Sequence, residues 1–94
     1  MGQTRYLNKL VIHGNVQGVG FRWFVRDAAD RLGIKGLVRN MPNGTVEIVC
    51  DCDSELLEQF MDELENNSTS GQVTNIVMDK VMTDKKFDRF EIEI

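Results

Sequence analysis

A change of apolar period within one short stretch constrains this chain more than any other feature. Leu10-Val11-Ile12 is an apolar run that reads as a strand, whereas Phe21, Phe24, Val25, Ala28, Ala29 and Leu32 follow the i, i+3, i+4, i+7 spacing of an amphipathic helix. The residues Gly14-Asn15-Val16-Gln17-Gly18-Val19-Gly20-Phe21-Arg22 must therefore carry the chain from strand to helix. The first N–H groups of a helix lack intrahelical partners, and the peptide dipoles leave partial positive charge there, so an anion is favoured at that end. Gly18 and Gly20 can take positive φ, which lets successive N–H groups converge into a concave nest. Arg22 can add a planar, permanently charged fork suited to two phosphate oxygens. Two readings stand on these residues alone. One is an anion site. The other is a tight turn with glycines for sterics and a solvated Arg22, mispaired with the helix dipole in a way that a bound anion would offset.

The rest of the chain continues the alternation of periods. A strand is expected over about Arg5 to His13 and a helix from about Phe21 to Leu32, stopped by Gly33. Lys35 to Arg39 and Thr45 to Asp51 read as strands joined by Asn40-Met41-Pro42-Asn43-Gly44, whose Asn-Gly pair supplies the positive φ of a hairpin turn. A second helix starts at Asp53 or Ser54, either of which can cap it, and carries Leu56, Leu57, Phe60, Met61 and Leu64 on one face. It gives way to the polar loop Asn66-Asn67-Ser68-Thr69-Ser70-Gly71. Val73 to Val81 is a further strand, and Arg89 to Ile94 closes the chain with Phe90, Ile92 and Ile94 facing one way. The order is β-α-β-β-α-β with a short extra strand. Two helices with one apolar face each pack most economically on one side of an antiparallel sheet, a ferredoxin-like α+β sandwich. Residues 1–94 are read as one domain, without repeat or linker.

At 94 residues the chain can bury a core without metal or disulfide staples. A net charge of -4 argues against a nucleic-acid partner, so an anion site would have to act at short range through backbone dipoles and Arg22. No stretch is long and apolar enough for a membrane span or a secretory signal, which makes the cytoplasm the expected location. Tyr6 breaks the myristoylation pattern that Gly2 would otherwise begin. Cys50 and Cys52 match no zinc spacing and read as reduced, non-catalytic thiols. His13 reads as a packed or edge residue, because nothing in the sequence orients it as a base. Trp23 lies off the apolar helix face beside the loop, either shielding a pocket or packed on a neighbouring segment.

The wording of the loop adds to its composition. Val16-Gln17-Gly18-Val19-Gly20-Phe21-Arg22 resembles the signature of acylphosphatases, and Gly36-Leu37-Val38-Arg39-Asn40-Met41-Pro42-Asn43-Gly44-Thr45-Val46-Glu47 resembles that family's second motif. The resemblance extends over almost the whole chain. It implies the same sheet and an enzyme that hydrolyses small acyl phosphates without cofactor or metal; a free-standing monomer with no nucleic-acid or membrane partner is the expectation for the chain. Carried over by position, it makes Asn15, Val16, Gln17, Gly18, Val19, Gly20 and Phe21 the phosphate cradle. It makes Arg22 and Asn40 the catalytic pair, one holding phosphate and the other orienting water. Met41 and Pro42 depart from the polar residues expected there, where the family often has Asp-Gly, which bears on substrate preference and loop stiffness.

The implied chemistry suits such sparse equipment. An acyl phosphate carries a good leaving group, a carboxylate, so hydrolysis rests on positioning and charge stabilisation. An amide takes up no proton near neutral pH, so Asn40 can orient water but cannot act as a base, and a phosphate oxygen becomes the eventual proton acceptor. Read without the motif, Asn40 is better taken as a residue that ends a strand and starts a turn, and the motif reverses that preference. Four rivals remain for the chain. A non-catalytic anion sensor would use the same loop. An RNA-binding module would need stacking aromatics and a basic face, which Val46 to Asp51 lack. A metal carrier would need paired cysteines in the first loop. A regulatory domain of a larger maturation enzyme is the fourth.

Overall fold

The computed structural model describes residues 5–18, 20–66 and 71–94. Val19 and the Asn67, Ser68, Thr69 and Ser70 part of the expected polar loop lie outside the described residues. The elements run β1 (Arg5–Asn15), α1 (Phe21–Leu32), β2 (Lys35–Asn40), β3 (Val46–Asp51), α2 (Ser54–Asn66), β4 (Gln72–Thr83) and β5 (Phe90–Glu93). They form an α+β, ferredoxin-like arrangement around a sheet of order β4-β1-β3-β2-β5.

Side-chain alternation explains how the sheet meets its neighbours. Leu10 and Ile12 of β1 stand opposite Ile48 and Val46 of β3, and Val38 of β2 stands opposite Ile48. These residues, with Cys50 and Phe90, form one apolar face, packed with Val25, Ala28 and Ala29 of α1 and Leu57, Phe60 and Leu64 of α2. Each large side chain fully buried there contributes about 1.5–3 kcal/mol. Leu7, Leu37 and Val49 fall on the alternate positions and form a second, smaller cluster with Phe87. Phe87 belongs to the connection between β4 and β5, which covers part of the sheet's other side.

That connection also corrects one detail of the expected sheet. Every strand pair is antiparallel except β2 with β5, which is parallel. β4 lies at one edge of the sheet and β5 at the other, so the chain crosses the sheet before its last strand and arrives running with β2. β5 is shorter than the expected Arg89 to Ile94, and Ile94 is fully exposed instead of joining Phe90 and Ile92 against the core. β1 is longer than expected. Beyond an irregularity between His13 and Gly14 it continues to Asn15, paired with Gln72. A Cβ at Gly14 would run into the Gln72 carbonyl oxygen, so only glycine lets the two backbones approach there.

Helix boundaries follow the residues that favour them. Gly33, with φ 73°, ends α1 as expected, its N–H donating to the Asp30 carbonyl at 3.2 Å while Ile34 donates to Ala29 at 2.8 Å. Asp53 caps α2, accepting the Leu56 N–H through Oδ1 at 2.9 Å. The β2–β3 turn differs from the expected one, because Gly44 has positive φ and Asn43 does not. Met41-Pro42-Asn43-Gly44 is a four-residue turn closed by Gly44 N–H to the Met41 carbonyl at 3.1 Å, with Pro42 at the position that its fixed φ suits. Among the described residues no helix is long and apolar enough to cross a membrane.

Candidate active site

The strand-to-helix loop and the end of β2 meet beside the first turn of α1. Gly18 and Gly20 have φ 74° and 77°, the positive values expected of them. Gly20 stands at the N-cap of α1 in the left-handed region, where it offers no side chain to the helix. Its carbonyl accepts the Phe24 N–H at 3.2 Å, which makes Phe21, Arg22 and Trp23 the first three helical positions, whose N–H groups have no helical partner. Among the described residues no side-chain cap satisfies them, and the first turn carries no acidic residue. This end of the helix is therefore a set of unspent donors on the positive end of a dipole.

A hollow of about 80 Å³ lies there, lined by Val16, Gly18, Gly20, Phe21, Arg22, Trp23 and Asn40. That is room for several waters or for one tetrahedral oxyanion. Val16 and Phe21 are buried in the core, so their side chains anchor the loop and leave it backbone to present. Arg22 and Asn40 come from different elements, α1 and β2, and also line an adjoining cavity of about 410 Å³ with Arg39, Met41, Pro42, Glu93 and Ile94. The smaller space suits a phosphate and the wider one whatever the phosphate is attached to. Met41 and Pro42, the two departures from the expected motif, belong to that wider space.

Two of the described cradle residues expected from the sequence, Asn15 and Gln17, sit outside the hollow. Asn15 is exposed at the end of β1, outside the lining of the hollow. Gln17 also lies outside it, its amide nitrogen donating to the Met41 and Thr45 carbonyls at 2.8 and 2.7 Å. His13 is half-buried on β1 opposite Asn75 and takes no part in the lining. Trp23 does line the hollow, is 56% exposed, and has the Arg26 guanidinium 4.5 Å from its ring centroid.

Three contacts beside the site go beyond the sequence reading. Arg22 Nη1 donates to the Glu93 backbone carbonyl at 3.0 Å, so β5 holds the guanidinium. Arg39 donates from Nη2 to Glu47 at 2.8 Å and from Nη1 to Glu93 at 3.4 Å. The Glu47 hydrogen bond and charge, then those of Glu93, raise the Arg39 pKa. The Arg39 pair had a usable signal, since opposite charges at facing positions of two strands attract. The Arg22 contact had none, because its acceptor is main chain.

The thiols are poorly placed for nucleophilic chemistry. Burial pushes Cys50 well up from its ordinary value, and burial followed by the charges of Asp53 and Asp51 pushes Cys52 up to about 11. The thiolate is the reactive form, so both are weak nucleophiles at neutral pH. Among the described residues no group of His, Cys, Asp or Glu forms a metal-ligand cluster.

The Acylphosphatase family model matches residues 8–92. The chain is 34% identical to the acylphosphatase of Koribacter versatilis (strain Ellin345), over 99% of this chain and 84% of that one. It is 46% identical to the acylphosphatase of Latilactobacillus sakei subsp. sakei (strain 23K), over 73% of this chain and 76% of the relative. Among solved structures, the crystal structure of acylphosphatase from Bacillus subtilis superposes with a TM-score of 0.84 at 32% identity, covering 96% of this chain and all of the other.

Proposed function

The chain belongs to the acylphosphatase family, and from that membership we propose that it hydrolyses the carboxyl–phosphate bond of small acyl phosphates, with the phosphate held by loop amides and Arg22 and the attacking water oriented by Asn40. One observation carries the reading: Arg22 and Asn40, on separate elements, line a single oxyanion-sized hollow with Gly18, Gly20 and the uncapped start of α1.

The steps follow from the groups present. The phosphate oxygens take the unpaired amides at the head of α1 and the Arg22 guanidinium, whose charge the Glu93 carbonyl helps to aim. Charge on the equatorial oxygens of a loose transition state then meets donors that are already in place, the arrangement in which losing one donor costs about 2.7–4 kcal/mol. Asn40 holds a water for attack on phosphorus. The carboxylate departs without protonation, and a phosphate oxygen takes up the water's proton. N–H groups and a guanidinium attract the phosphate's charge directly, and this reading assigns no role to a metal.

Benzoyl phosphate, supplied to protein freed of contaminating phosphatase and kept in a chelator, tests the reading. Steady turnover to benzoate and phosphate, competitively inhibited by inorganic phosphate, is the expected outcome. Phosphate binding without turnover would make the protein an anion sensor. A rate that collapsed in chelator and returned with metal would reject the metal-free mechanism.

A further inference from the structure

Gln17 lies between two residues that line the hollow, Val16 and Gly18, yet its side chain serves another element. The amide nitrogen donates to the carbonyl oxygens of Met41 and Thr45 at 2.8 and 2.7 Å. Those carbonyls form the neck of the β2–β3 hairpin, where Met41 N–H donates to the Thr45 carbonyl at 2.9 Å. Only the NH2 end of a carboxamide can face two acceptors, so both donors of Gln17 are committed and its orientation is fixed. Met41 directly follows Asn40. One side chain thus fastens the anion loop to the peptide adjoining Asn40.

We propose that Gln17 is a positioning residue whose carboxamide clamps the anion loop to the β2–β3 hairpin, fixing the separation between the phosphate bound by the loop and the water oriented by Asn40. The inference rests on the hydrolase reading above. Attack on phosphorus needs both reactants held at once by walls belonging to different elements, and a displacement of about 1 Å costs on the order of a hundredfold in rate. The hairpin neck is already satisfied by its own backbone bonds, so the two extra donors add little to the turn itself. What they add is a link beside the hollow, between the segment that carries Val16 and Gly18 and the hairpin that carries Asn40. Phosphate affinity depends on the first of these alone, whereas turnover depends on both.

Gln17→Met removes the donors and keeps the length. Gln17→Glu keeps the shape but sets a carboxylate against two carbonyls, until protonation restores a single O–H donor. The experiment compares both with the unsubstituted protein on benzoyl phosphate, with kcat expressed per folded molecule from circular dichroism and inorganic phosphate as competitive inhibitor. Both variants are expected to lose about tenfold to a hundredfold in kcat at neutral pH, with phosphate inhibition shifted by less than about threefold. Relative to the unsubstituted protein, Gln17→Glu should regain part of its kcat towards about pH 5, as its carboxyl, held above the ordinary ~4.3 by the two carbonyls, takes up a proton. Gln17→Met should show no such recovery. Full kcat per folded molecule in either variant, or a Gln17→Glu deficit that ignores pH, overturns the clamp while leaving the hydrolase reading standing. No turnover by the unsubstituted protein overturns both.

Discussion

The two helices begin in opposite ways. At the second helical position α1 carries Arg22 and α2 carries Glu55, and at the cap α1 has Gly20 whereas α2 has Asp53. Asp53 Oδ1 accepts the Leu56 N–H, and the Glu55 carboxylate faces the positive end of the dipole, so α2 closes its own terminus. α1 leaves its terminus open and adds a cation where a cation is disfavoured. Both helices bury an apolar face against the same side of the sheet, so packing does not account for the contrast. The open end lies where loop, helix and β2 meet around a hollow, and no residue of the closed end lines that hollow. An uncapped helix start that carries a mispaired cation is the electrostatic arrangement that the proposed phosphate site calls for.

The sharpest way to break that contrast is to remove the cation. Arg22→Ala should lower kcat on benzoyl phosphate by about a hundredfold to a thousandfold, the scale of losing a preorganised oxyanion donor, and weaken phosphate inhibition as well. The far-ultraviolet circular dichroism should be unchanged, since Arg22 is only half-buried and its one hydrogen-bond partner among the described residues is a main-chain carbonyl. Retained turnover would mean that the open helix end works without its charge. Asn40→Ala is the next effect in size. It should lower kcat by about a hundredfold while leaving phosphate inhibition nearly intact, because the water contact belongs to the reaction path and the anion contacts belong to α1. An equal loss of both would move Asn40 from the water to the phosphate.

Sequence period carried most of this architecture, because burial on one face dictates the spacing of apolar residues. α1 runs over Phe21–Leu32 as its repeat predicts, and the strands on either side of the β2–β3 turn stand within a residue or so of expectation. Events that depend on main-chain partners were not legible. The continuation of β1 to Asn15 is a pairing with Gln72, and no side-chain pattern encodes it. The parallel entry of β5 follows from a crossing whose only trace in the sequence is Phe87 within a polar stretch. The site divides along the same line. Gly18, Gly20, Arg22 and Asn40 could be nominated from the loop chemistry and its resemblance to a motif. The side chain of Gln17 could not be placed, because its partners are the carbonyls of Met41 and Thr45. Arg22 was nominated without the Glu93 carbonyl that holds it.

The mildest test takes the closed helix end instead. Asp53→Ala removes the Oδ1 acceptor and leaves the Leu56 N–H to water, while the Asp53 carbonyl can keep its bond to Leu57 N–H, now 3.0 Å. The loss should be about 1 kcal/mol of stability, the usual cost of deleting a helix cap. For a domain of this size, that corresponds to a fall of about 4–8 °C in Tm. Below the transition kcat should be unchanged, since α2 contributes no residue to the hollow. Added phosphate should raise Tm by the same increment in the variant and the unsubstituted protein, because ligand linkage depends on a site that Asp53 does not touch. A smaller increment in the variant would show that α2 is coupled to the anion site, and the two helix ends could no longer be treated as independent solutions to the same electrostatic problem.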